Sequence, residues 1–414
     1  MSTLNLRINA ARLQDRLQRL GEIGALDGGG VCRLALTAED KAGRDQVLGW
    51  MRELGLEVAI DRIGNLIGVR PGRRAGPPVM TGSHIDTVRT GGLYDGNLGV
   101  LAGLEVIETL NEAGIETEHP LAVGVFTNEE GSRFAPDMMG SLVYVGGMSV
   151  EEARSVEGID GRQVGECLDE IGYAGETECG DPAVRAFVEL HVEQGPVLEQ
   201  ERLTIGAVEQ VQGISWTEFT IVGVSNHAGT TPMRMRHDAG YAAAAIACEV
   251  RRIAGELGGD QVGTVGAIDL VPNLVNVVAN QARVTADLRN TDEQCLQRAE
   301  SLLETFAERL AESEGIEIRS RRLARFEPVP FAEQVISRVE DTARTLGYPV
   351  RRMPSGAGHD AQMLARVCPA GMIFVPSVGG ISHNVREYTL PEDVEAGANV
   401  LLHVLLDLAG DETA

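Results

Sequence analysis

From the start of the chain to about residue 210, short apolar runs alternate with helical stretches, and this alternation limits the possible folds more than any other feature. The runs are "NLIGVR", "PPVMTGS", "LAVGVFTN" and "AFVELHV", and between them lie "DQVLGWMRELG" and "GVLAGLEVIETLNEAG". Strands spaced by helices in this way predict a doubly wound α/β domain with a mostly parallel sheet. The pattern returns near residue 330, with helix "AEQVISRVEDTARTLG", strand "MIFVPS" and helix "VEAGANVLLHVLLDLAG".

The middle of the chain follows another order. "SWTEFTIVGV" alternates as a half-buried strand and precedes the alanine-rich helix "HDAGYAAAAIACEVRRIAGELG". Strands "GTVGAIDLVPN" and "NVVANQARVTADLR", helix "TDEQCLQRAESLLETFAERLAESEG" and strand "IEIRSRRLARF" complete it. The order β-α-β-β-α-β predicts a smaller α+β domain inserted over residues 212–327, which leaves 1–211 and 328–414 as one discontinuous domain.

A chain of 414 residues has room for two such domains, and 43% apolar with 23% charged residues is ordinary for a soluble protein. No apolar stretch approaches the ~20 residues that span a bilayer. The N-terminal "MSTLNLRINAARLQDRLQRL" is polar and helix-like, without the apolar region of a secretion signal, so a cytoplasmic protein is expected. Six scattered cysteines with no C-x-x-C pair fit reduced thiols. A net charge of −25 argues against nucleic-acid partners.

Chemistry gathers at predicted strand ends, where sites form in open α/β sheets. "MTGSHIDTVRTGGLYDG" offers His84, Asp86 and Asp95; "FTNEEGSRF" offers Glu129 and Glu130; "VELHVEQGP" offers His191; and "GGISHNVREYT" offers His383. Imidazole nitrogens and carboxylate oxygens suit zinc and related divalent ions, and a carboxylate can bridge two of them. Asp86, two residues after His84, is expected to accept the other imidazole N–H and so fix the ligand tautomer. The adjacent pair Glu129–Glu130 cannot serve one site from within a strand, because neighbouring side chains there point to opposite faces. Both can serve it only if the strand has ended. His227 and His359 lie in glycine-rich loops, whereas His119, His237 and His403 lack such surroundings and are expected to be structural.

Taken together, "SHIDTV", "YDG", "TNEEGSRF", "ELHVEQGPVLE", "HAGTTPM" and "SGAGHDAQ" resemble the di-metal M20-type amidohydrolases. The likeness is to the branch of N-carbamoyl-L-amino-acid hydrolases, allantoate amidohydrolases and β-ureidopropionases. It runs nearly end to end, beginning at "GGVCRLALTAEDKAGRDQVLGWMRELGLEV" and "DRIGNLIGVRPG". The resemblance implies one divalent ion on His84, Asp95 and His191, and a second on Asp95, Glu130 and His383. Zinc is the foremost candidate, with manganese, cobalt or nickel as alternatives. Glu129 is the implied general base toward a water between the ions, with Asp86 and His227 completing the catalytic set and His227 stabilising the oxyanion. Gln194, Asn276, Arg289, Gly356 and Gly358 are the implied substrate contacts, with Arg289 on the substrate carboxylate. A homodimer with the inserted domain as interface and lid is also implied. The expected reaction is hydrolysis of a ureido C–N bond. An M20 dipeptidase or N-acyl-amino-acid deacylase is the alternative enzyme, and a non-catalytic binding protein on the same scaffold is the alternative class.

Overall fold

The buried apolar runs become the centre of a sheet. In the computed structural model, which describes residues 5–410, the chain divides into two compact units, Met1–Glu209 with Pro330–Ala414, and Gln210–Val329. The first residues of the helix-like N-terminal stretch, 1–4, and the last residues of the chain, 411–414, lie outside the described residues. The N-terminal helix itself covers Ala10–Gly21.

In the first unit, strands Leu121–Phe126, Val79–His84, Ala186–Val192 and Ala370–Val375 lie side by side in that order and run parallel. Every residue of the four is buried, as expected of strands covered on both faces. The expected parallel sheet is therefore its centre, and its flanks are antiparallel. Leu66–Arg70 pairs antiparallel with Leu121–Phe126, and Ile205–Val211 with Ala370–Val375. At one edge the reason is local: Glu57–Ile60 and Leu66–Arg70 are joined by a tight turn, and only a long crossover allows parallel neighbours. The Asp61 carboxylate holds that turn, accepting from the backbone N–H of Ile63 and Asn65 at 3.0 and 2.8 Å.

Glycines let the helices close on this sheet. A Cβ at Gly99, in helix Asn97–Glu112, would lie 2.6 Å from the Leu190 carbonyl oxygen and 2.9 Å from Ser83 Cβ. One at Gly397, in helix Pro391–Gly410, would lie 2.6 Å from Val375 Cγ1. Both helices thus seat against strands whose carboxyl ends carry His84 and His191.

The second unit is an antiparallel sheet of five strands, ordered Glu317–Phe326, Gly213–Val222, Gln281–Asn290 and Val262–Thr264, with Ile268–Val271 also on Gln281–Asn290. Helices Ala239–Leu257 and Glu293–Glu314 cover one face, packing Ile246, Val250, Leu296 and Leu303 against Phe219, Val284 and Leu288. Each helix begins at an aspartate cap, Asp238 and Asp292, whose side chains accept first-turn N–H groups. The stretch "GTVGAIDLVPN" differs from expectation: it forms two short strands rather than one. Thr264 faces Asp287 and Ile268 faces Val284, so one residue is extra on the outer strand and makes a bulge. The Thr285 hydroxyl accepts the Ala267 N–H at the break, at 3.1 Å.

Gly99→Val should overpack the helix against the Leu190 backbone and cost about 1–3 kcal/mol of stability. Urea unfolding followed by circular dichroism checks this, and an unchanged midpoint would refute the packing argument.

Candidate metal centre

Three of the parallel strands end at the same edge of the sheet with a chemically useful residue at or just past the end. His84 is the last residue of its strand and His191 the last but one of the neighbouring strand. Glu129 and Glu130 follow Phe126 after a turn in which Asn128 takes the left-handed φ of 55°. That turn resolves the problem of the adjacent carboxylates: the strand has ended, so both side chains can face one place.

They meet at Asp95. His84 Nε2 and His191 Nε2 stand 3.6 and 3.2 Å from Asp95 Oδ1, and His383 Nε2 stands 3.3 Å from Asp95 Oδ2. Glu130 Oε2 lies 3.4 Å from His383 Nε2, and Glu129 Oε2 lies 3.3 Å from His84 Nε2. Among the described residues three groups have donor atoms close enough to share an ion, and two of them overlap at Asp95: His84, Asp95 and His191, and Asp95, Glu130 and His383; the third, Glu189, His191 and His359, shares only His191 with the first.

The donors are oriented as ligands. His84 Nδ1 lies 2.9 Å from the Asp86 carbonyl oxygen, and His191 Nδ1 lies 2.9 Å from the Val192 carbonyl oxygen. A carbonyl only accepts, so each ring carries a proton on Nδ1 and faces Asp95 with Nε2, the nitrogen that can hold a metal ion once its own proton is gone. The expected partner of His84 was the Asp86 carboxylate; the structure puts the carbonyl of Asp86 there, with Oδ1 4.0 Å away. The carboxylate is engaged elsewhere, accepting the main-chain N–H of Glu129 at 3.2 Å and of Glu130 at 3.3 Å. Asp86 therefore positions the carboxylate pair, while its backbone sets the histidine tautomer.

The electrostatics call for cations. Burial opposes ionisation of Asp95, but hydrogen bonds from His191, His383 and His84 overcome it and hold the carboxyl well below its usual range. Burial and then Asp95 push Glu130 up to about 8. Burial, with the Asp360, Glu130 and Asp95 charges, drives Glu129 well above the ordinary glutamate range against the pull of His84. His383 is raised to about 9 by its bond to Asp95. Among the described residues no arginine or lysine forms an ion pair with Asp95, Glu129 or Glu130, so the crowded carboxylates have only imidazoles as counter-charge. Nitrogen and carboxylate donors at such spacing fit divalent ions of the zinc class.

Other expected residues fall in two places. Gln194, at a left-handed φ of 58°, donates from Nε2 to Asp95 Oδ2 at 2.9 Å, beside the triads. A Cβ at Gly356 would meet no atom within 4 Å, whereas one at Gly358 would meet Met138 Cε at 2.8 Å. His227, Asn276 and Arg289 belong to the second unit. There the Ala228 N–H donates to the Asn276 carbonyl at 3.0 Å, which holds the two loops together. His227 Nδ1 accepts from the backbone of Gly229 at 3.0 Å, so the neutral ring keeps its proton on Nε2 as an outward donor. The Arg289 guanidinium is held by Asp287 two residues back along the strand, at 2.9–3.1 Å.

The site reading of the sequence left out several residues. The buried His359 ring stacks edge-on to His191 at 4.5 Å, and its Nε2 meets the Ser355 hydroxyl at 2.9 Å. Glu189 accepts from the Ser83 hydroxyl at 2.6 Å and the Ala361 N–H at 2.9 Å, tying two strand ends together. Their signal was present: Glu189 in "VELHVE" is polar in a strand covered on both faces, and His359 stands in the glycine-rich loop "SGAGHDAQ". His237 and His403 bond main-chain carbonyls, of Glu314 and Leu6.

Residues 80–407 match the sequence profile of peptidase family M20/M25/M40. The chain belongs to this family. Among M20 relatives it is similar to the N-carbamoyl-L-amino-acid amidohydrolase of Rhizobium meliloti, 41% identical over 406 residues covering 98% of each chain. It is also similar to the ureidoglycolate hydrolase of Arabidopsis thaliana, 33% identical over 98% of this chain and 88% of that protein. A crystal structure of a hydantoinase/carbamoylase-family amidase from Burkholderia multivorans superposes with a TM-score of 0.93 at 46% identity, covering 98% and 99% of the two chains.

Asp86→Ala should leave the buried Glu129 amide and the part-buried Glu130 amide of this M20 centre without their acceptor, at about 1–3 kcal/mol for the buried one and less for the other, which water can reach. Hydrogen exchange at the Glu129 and Glu130 amides should accelerate, and retained protection would show that Asp86 does not hold them.

Proposed function

We propose that the chain is a metal-dependent amidohydrolase that cleaves the ureido C–N bond of an N-carbamoyl-L-amino acid, or of a related ureido acid such as allantoate. The observation that carries this reading is the convergence of five metal-type ligands with one carboxylate, Glu129, that belongs to neither triad. The similarity to carbamoyl-amino-acid and ureidoglycolate hydrolases supports the choice of ureido substrates over dipeptides.

His84, Asp95 and His191 would hold one divalent ion, and Asp95, Glu130 and His383 a second, with Asp95 shared. Zinc is the proposed occupant; manganese, cobalt and nickel suit the same donors, and availability often decides among them. When bound, such a pair polarises the scissile carbonyl and makes water more acidic. Glu129, buried beside His84, takes the proton of the attacking water and returns it to the leaving nitrogen. A carboxylate committed to an ion is a poor proton shuttle, which is why the site needs two adjacent glutamates. The carbamate released breaks down to carbon dioxide and ammonia.

For the substrate carboxylate the chain offers Arg289, whose planar fork donates two parallel hydrogen bonds and is already oriented by Asp287. Gln194, Asn276 and the backbone at Gly356 and Gly358 are the proposed further contacts, with His227 donating from Nε2 to the developing oxyanion. A homodimer is part of the same proposal. Large apolar side chains stand exposed in the second unit, among them Met233 at 76%, Met235 at 58% and Leu274 at 58%. The free cysteines accord with a reducing, cytoplasmic setting.

Ammonia release should be measured on N-carbamoyl-L-amino acids, allantoate and dipeptides, after chelation and re-addition of each metal. Turnover of a ureido acid restored by metal is expected; a preference for dipeptides, or activity that no metal restores, would overturn the proposal. Glu129→Gln should keep its metal content and lose roughly 10²–10⁴-fold in kcat. A variant that lost its metal instead would reassign Glu129 as a ligand.

A further inference from the structure

Asp95 and His383 stand far apart in the sequence, and neither lies on a strand of the sheet. Asp95 lies in the loop "GGLYDG" and His383 in "GGISHNVREYT". His84 and His191, by contrast, are fixed by the strands that carry them. The two loops are joined by Glu387, which is 5% exposed. Its Oε1 accepts the main-chain N–H of Tyr94 at 3.1 Å and of Asp95 at 3.0 Å. Its Oε2 accepts the Ser382 hydroxyl at 2.7 Å. Ser382 also stands 3.3 Å from Asp95 Oδ2, but a hydroxyl has one proton, and the shorter contact is to Glu387.

The surroundings are shaped for this carboxylate. A Cβ at Gly92 would fall 2.2 Å from Glu387 Oε1, so only glycine admits the carboxylate to the loop backbone. The Glu387 N–H closes a turn onto the Asn384 carbonyl at 2.9 Å, which fixes the side chain relative to the segment it serves. His383 sits in that segment at a left-handed φ of 52°, a conformation a histidine keeps only when its neighbours hold it.

We propose that Glu387 is a positioning residue that clips the Asp95 loop to the His383 loop, and so builds the second metal triad. This rests on the di-metal reading given above. Removing the clip frees Asp95 and His383 together, two of the three ligands of the Asp95–Glu130–His383 triad. It leaves His84 and His191 on their strands. Asp95 serves both triads, so both ions lose affinity, but the ion on Asp95, Glu130 and His383 loses the fastening of two ligands against one and is weakened more.

The test uses the full chain, stripped of metal and titrated with cobalt(II) by calorimetry and by its visible spectrum. Wild-type protein should take up two ions. Glu387→Ala should weaken one binding step by roughly 10–100-fold, the usual range for loss of an outer-shell partner, and the other step much less. Glu387→Gln should recover most of this, because the amide oxygen still accepts the two backbone N–H groups while its NH2 donates to Ser382. Ser382→Ala, which removes one arm, should weaken the same step and guards against poor folding of the alanine variant. Hydrogen exchange of the metal-free protein should quicken at Tyr94 and Asp95 in Glu387→Ala. Two steps weakened equally would mark a general structural role and overturn the clip. Two wild-type steps with protected amides would overturn it as well while leaving the functional reading intact. A wild-type chain that takes up no pair of ions would overturn both.

Discussion

One carboxylate, Asp95, carries the organisation of the centre. Three imidazoles from three separate segments point their Nε2 atoms at its two oxygens, at 3.2–3.6 Å. In a buried site where, among the described residues, no arginine or lysine is paired to Asp95, such a cluster is stable only if charge is balanced, by protons on the histidines or by cations among them. The backbone carbonyls that accept from Nδ1 of His84 and His191 hold both rings with Nε2 toward Asp95, the orientation that either solution uses. The sheet supplies two of the imidazoles at rigid strand ends, and loops supply Asp95, Glu130 and His383. The centre is thus half scaffold and half loop, and the loop half needs its own fastenings.

Much of this was legible in the residue order. Buried apolar runs spaced by helices foretold the parallel centre of the sheet, because only a strand covered on both faces can be apolar throughout. The ligand types were legible because histidines followed strands beside glycine and carboxylate. The adjacency of Glu129 and Glu130 carried information as well: two carboxylates can converge only where a strand has stopped.

What escaped the sequence shares a physical character. Whether an imidazole N–H meets the Asp86 carboxylate or the Asp86 carbonyl depends on backbone direction over two residues, which no spacing rule resolves. The bulge that splits "GTVGAIDLVPN" depends on the partner strand, where the Thr285 hydroxyl competes for an amide. Glu387 serves residues almost three hundred positions away and has no local motif beyond an ordinary polar loop. Local pattern reveals what a residue can do chemically, and long-range contact decides which partner it finds.

The sheet order has a consequence for how the molecule comes into being. Strand Ala370–Val375 inserts between Ala186–Val192 and Ile205–Val211, yet it leaves the ribosome long after both. A growing chain must therefore wait, with the flank of the His191 strand unpaired, until the whole inserted unit has been made. During that interval neither His383 nor the Glu387 carboxylate that accepts the Tyr94 and Asp95 amides exists, so the cluster around Asp95 is among the last features of the sheet edge to be completed.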